Sequence, residues 1–126
     1  LKGVMATAAA TEITSKYAAG VVANKKTELQ NVLTTRKAEK QFAKAYNEYT
    51  EVEENKNLSN NRMKDITMKY INGINENDEN ISDADKKYAE YVQDLYNQYK
   101  KIGVEDPEQM VIDTVEDVQK KRVLPE

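Results

Sequence analysis

Between about residue 7 and residue 54 the chain contains no proline and a single glycine, Gly20. The residues between are rich in Ala, Lys, Glu and Gln, whose side chains lose little freedom in a helix, so the run predicts one uninterrupted helix over 7–54. Apolar side chains recur along it at helical spacing. Ile13, Tyr17 and Val21 step by four, Leu29, Val32 and Leu33 continue the stripe, and Phe42, Tyr46, Tyr49 and Val52 resume it. Between Leu33 and Phe42 the stripe thins to Ala38. Such a rod spans roughly 70 Å at about 1.5 Å per residue. The rest of the chain cannot cover that length, so the N-terminal half of the rod is expected to project or to find contacts outside its own chain.

The remaining sequence supplies shorter helices. The stretch NKNLSNN at 55–61 reads as a turn, because its side chains compete for backbone hydrogen bonds. Met63, Ile66, Tyr70, Ile71 and Ile74 predict a second helix over 60–74. A polar connector follows over 72–83, ending at Ser82, an N-cap with Asp85 in the capping-box position. The third helix, 83–102, carries Tyr88, Val92, Leu95, Tyr99 and Ile102 at spacings of 4, 3, 4 and 3, the most coiled-coil-like pattern in the chain. Gly103 is its expected terminator. Asp106 caps and Pro107 opens a fourth helix, 107–121, with Val111, Val115 and Val118 on one face and Glu116–Lys120 and Asp117–Lys121 pairs beside it. The expected fold class is therefore all-α. One very long N-terminal helix is packed by two or three shorter helices in an open bundle, as a single domain of 126 residues.

Composition narrows the function. The chain has no Cys and no His, which removes disulfides, thiolate metal sites, the commonest general base and the commonest zinc ligand. No constellation of carboxylate, Lys or Tyr takes their place, so the chain is expected to be no enzyme, with no cofactor and no metal. The acidic connector has the composition of a calcium loop without its pattern. Counted from Asn75, the sixth and twelfth positions hold Asn80 and Lys86, and from Asp78 they hold Asp83 and Ala89, where Gly and Glu are required. No basic flank leads into an apolar core as a signal peptide would, and no run approaches the roughly 18 apolar residues of a spanning helix, so a soluble protein is expected.

A net charge of −3 conceals an asymmetry. Residues 1–49 hold eight Lys/Arg against four Glu, and residues 50–126 hold eleven against eighteen Asp/Glu. A positive front and a negative back suit head-to-tail packing between copies, or docking of the front on an acidic surface. Small residues dominate 3–23, and small side chains let helix backbones approach closely. Ile13, Tyr17, Val21 and Val22 are accordingly expected to contact other copies or other proteins of one assembly. A fraying helix end is the plain alternative for this segment, and membrane contact of 3–23 a less favoured one. Lys25, Lys26, Arg36, Lys37, Lys40 and Lys44 form a loose basic stretch that could meet phosphate, but Glu28 and Glu39 interrupt it. A solvated helix face is the stronger expectation there, and nucleic acid is not the favoured partner. Of the eight tyrosines, Tyr91 and Tyr96 sit beside the main stripe of the third helix and are the best candidates for contact with another chain.

The opening MATAAATEITSKYAAGVVA, running directly into NKKTELQNVLTTRKAEKQ, resembles small internal virion proteins of short-tailed phages, those ejected with the genome. The likeness is compositional and covers about the first 45 residues. It implies a multi-copy virion part near the portal, tail or internal core, and the general style of the chain, shared with helical coat proteins of filamentous archaeal viruses, adds a coat subunit as a further virion reading. The leading expectation is thus a structural subunit of a multi-copy assembly located in a virion. The alternatives are a secreted or surface-exposed helical bundle that recognises a partner protein, and a nucleic-acid-binding accessory protein.

Overall fold

The computed structural model describes residues 26–74 and 81–121, with side chains described from residue 30. Among the described residues are four α-helices, α1 (Lys26–Glu51), α2 (Asn60–Ile71), α3 (Asp83–Lys101) and α4 (Pro107–Lys121), with a 3₁₀ turn at Glu53–Asn55 between the first two. The all-α expectation holds, and the starts of the second, third and fourth helices fall at the expected residues. Of the expected 7–54 helix, the structure describes the part from Lys26 onward, and residues 7–25 lie outside the described residues. No described helix is long and apolar enough to cross a membrane.

Helices α3 and α4 each pack against all three others, whereas α1 and α2 stand at opposite corners. The α3 stripe explains its central place. Tyr88, Val92, Leu95 and Tyr99 are all at most 1 % exposed, so this heptad-like seam faces neighbours along its whole length. Against it lie Phe42, Tyr46 and Tyr49 from α1, Met63, Tyr70 and Ile71 from α2, and Val111, Val115 and Val118 from α4. Each such side chain contributes about 1.5–3 kcal/mol by leaving water. Tyr88 is the hub of the aromatic part. Its ring stacks on Tyr49 at 4.8 Å and meets Tyr46 and Tyr70 edge-on at 6.1 and 6.2 Å.

Three local outcomes differ from the sequence reading. First, α1 ends at Glu51 rather than 54. Val52 is extended (ψ 138), and the Asn55 side chain donates to the Tyr49 carbonyl at 3.0 Å, replacing a helical bond with an asparagine cap. Secondly, α2 ends at Ile71 rather than 74, because Gly73 adopts φ 104 and its N–H turns back to the Tyr70 carbonyl. The third change is in the stripe of α1. Leu33 is 57 % exposed and off the packed face, and the gap before Phe42 is filled instead by Thr35 and Glu39, both buried. Polar residues at core positions escape any search for apolar periodicity. From Val32 onward, α1 is covered on this side by α3 and α4.

Candidate interaction surface

Helix ends and polar tethers position everything the bundle presents. Ser82 accepts from the Asp85 N–H at 3.1 Å while Asp85 accepts from the Ser82 N–H at 3.2 Å, which is the capping box read from the sequence. The same carboxylate does more. Its Oδ1 accepts from the Tyr49 hydroxyl at 2.6 Å and from the Tyr70 hydroxyl at 2.9 Å, so one cap residue ties α1 and α2 to the start of α3. Burial pushes the Asp85 carboxyl up, but the hydrogen bonds from Ser82, Tyr49 and Tyr70 outweigh this and hold it below the usual carboxylate range. Burial, and then the bond to Asp85, push the Tyr49 hydroxyl far above its ordinary value.

Deeper in the bundle the Tyr99 hydroxyl donates to Glu39 of α1 and lies 2.7 Å from the Thr114 hydroxyl of α4. Gln98 donates to Thr35 beside it at 3.2 Å, and Tyr88 shares a 2.7 Å hydroxyl contact with Thr67 of α2. At the other end Gln119 of α4 donates to the Tyr46 hydroxyl at 3.1 Å and to the Asn60 carbonyl at 2.9 Å. These groups hold neighbouring helices together. Among the described residues no cluster of three or more acidic side chains is placed to hold a metal.

The sequence candidates divide among three places. Ile13, Tyr17, Val21, Val22 and Lys25 lie outside the described residues, as does the side chain of Lys26. Tyr91 and Tyr96 are both half-buried against the core but do not share a face. Five residues along a helix turn the side chain by about 140°. Tyr91 lines a shallow recess of about 220 Å³ between α1 and α3, with Gln41, Lys44, Ala45, Glu48 and Lys87. Tyr96 instead sits under Lys100, whose ammonium is 5.3 Å from the ring centre. The two cannot form one patch.

Arg36, Lys37, Lys40 and Lys44 are all exposed. At about 100° per residue they fall within one arc of roughly 100° on the outside of α1, opposite the packed face. The expectation that Glu39 interrupts this charge is corrected, since Glu39 is 2 % exposed and turned into the core toward Tyr99. The cations therefore form an unbroken stripe over Arg36–Lys44. The same arc continues into exposed Glu48 and Glu51, with Glu53 and Glu54 exposed in the 3₁₀ turn. This acidic continuation was missed in the sequence because nothing there separates exposed from buried carboxylates along α1. No protein-family model, no curated protein and no solved structure matches the chain.

Proposed function

We propose that this chain is a non-enzymatic structural subunit of a multi-copy helical assembly, and that the assembly is a virion. The observation that carries the reading is the exposed face of α1, where four cations and then two carboxylates, followed by two more in the 3₁₀ turn, stand outside a bundle whose internal polar groups are engaged with one another. Charge sorted in this way on a rigid element serves contact between proteins. The small-residue segment 3–23 offers a second contact of the kind that lets helices approach closely, and the likeness of the first 45 residues to internal virion proteins of short-tailed phages supplies the setting. On this reading α1 continues upstream as part of one long rod whose N-terminal half reaches beyond the bundle.

Sedimentation of the full chain is the test. The expected result is a species larger than a monomer at tens of micromolar in low salt. A stable monomer under those conditions, with residues 1–25 ordered on their own bundle, sinks the proposal.

The stripe Arg36–Lys44 also favours a second reading, contact with a phosphate backbone. Four phosphate contacts on duplex DNA would give log K falling with log salt at a slope of about −3 to −4. Binding that is absent, or indifferent to salt, ends that alternative.

A further inference from the structure

Charges on the outer face of α1 are sorted along the axis rather than mixed. Arg36, Lys37, Lys40 and Lys44 come first, Glu48 and Glu51 next, and Glu53 and Glu54 follow in the turn. Within one chain this order is unfavourable. Arg36 and Lys40 are like charges at i,i+4, and so are Lys40 and Lys44, a spacing that destabilises a lone helix. Lys44 and Glu48 are opposite in sign but in the weaker orientation, and Glu48 turns instead to Lys87 of α3 at 2.9 Å. Glu53 turns to Lys56 at 2.9 Å. Among the described residues none of the four cations has an ion-pair partner.

We infer that this face docks on the same face of a second copy, with the two α1 helices antiparallel about a two-fold axis. The inference rests on the assembly reading above and names its contact. In an isologous interface residue i meets residue j and j meets i, so a helix that is basic in one half and acidic in the other is complementary to itself only when reversed. A two-fold axis near Tyr46 sets Lys40 opposite the partner's Glu51 and Lys44 opposite the partner's Glu48. It also directs Arg36 and Lys37 toward the partner's Glu53 and Glu54. A parallel pairing would set cation on cation. A polyanion suits the face less well, since the carboxylates on the same arc repel it. Leu33, 57 % exposed on the same side, adds apolar area at each end of the contact. The face from Arg36 to Glu51 is roughly 25 Å long, which places the contact at the small, salt-sensitive end of protein interfaces.

Reversing charges one at a time tests it. Lys40 and Glu51 are both exposed, so Lys40→Glu and Glu51→Lys leave the bundle intact, which far-ultraviolet circular dichroism checks. Sedimentation velocity of the full chain should show wild-type self-association that weakens as salt rises. Each single reversal should weaken it by about tenfold, because two symmetry-related pairs turn from attraction to repulsion. The double variant, and an equimolar mixture of the two single variants, should recover wild-type association. If the wild type assembles but the single reversals assemble equally well, this contact is wrong while the assembly reading stands. Failure of the mixture to recover likewise overturns the contact. A wild type that stays monomeric at all salt concentrations overturns both.

Discussion

At the scale of single residues, the bundle is held by hydroxyl groups that each serve two helices. Tyr99 is the clearest case. Its ring is fully buried, its hydroxyl donates to Glu39 and it lies beside Thr114, so three helices meet at one oxygen. Burial first, and Glu39 second, push that hydroxyl far above its ordinary value, which keeps it a donor at any pH the fold survives. Tyr99→Phe removes a donor from a buried carboxyl and should cost about 2–4 kcal/mol in urea unfolding. Combining it with Glu39→Leu should recover part of that loss, because the group left without its donor is then gone. A double variant no better than the sum of the single changes would show the two side chains to be uncoupled. Of this pair, the sequence offered only spacing: Glu39 stands four residues after Thr35 and three before Phe42, an acidic residue at a packed helical position. The pairing with Tyr99 is a contact 60 residues away in the chain, which no local pattern carries.

At the scale of elements, boundaries were legible wherever a local chemical device makes them. Ser82 with Asp85, and Asp106 before Pro107, were read correctly because a cap bonds to a backbone N–H only three residues ahead. The end of α3 is of the same kind. Gly103 takes φ 82, its N–H returns to the Lys100 carbonyl, and the Val104 N–H reaches the Tyr99 carbonyl, completing a Schellman closure. An added Cβ at Gly103 meets nothing within 4 Å, so Gly103→Ala should cost only the left-handed backbone strain, about 1 kcal/mol. Thermal melting checks this as a drop of about 4 °C, with Gly103→Asn falling less. The end of α1 was misplaced by three residues for the opposite reason. Its stop carries Asn55 folding back to the Tyr49 carbonyl, a bond that competes with helix continuation, at a residue whose hydroxyl is held by Asp85 of α3, 36 residues away in the chain.

At the scale of the whole molecule, stability should form a plateau bounded by two titrations. Asp85 is held below the usual carboxylate range in the fold. Its contribution is complete above its unfolded value near 4 and is lost as pH falls through the lower folded value. Tyr49, Tyr88 and Tyr99 are all raised above their ordinary value of 10.0, chiefly by burial. Their contribution is complete below about 10 and is lost as pH rises above it, since ionisation then requires unfolding. Chemical denaturation across pH should show both flanks, and the alkaline one should coincide with a cooperative step in tyrosinate absorbance from the buried rings. Asp85→Asn should flatten the acid flank and, because the bond to Asp85 also raises the Tyr49 hydroxyl, soften the alkaline one to a smaller extent. Ionisation of all eight tyrosines in a still-folded chain would contradict the burial of these three rings.

The sequence by itself determined the helical class, the starts of α2, α3 and α4, and the α3 seam, because capping and apolar periodicity act within a few residues. Only the tertiary structure decided which polar groups turn inward. Glu39 was drawn into the core by Tyr99 and Asp85 was recruited by two tyrosines from other helices, and with Glu39 removed from the surface the outside of α1 became a sorted line of charge. The reason is physical. The side on which a charged residue lies depends on whether a distant donor is waiting to satisfy it, and that donor is placed by the packing of the whole bundle.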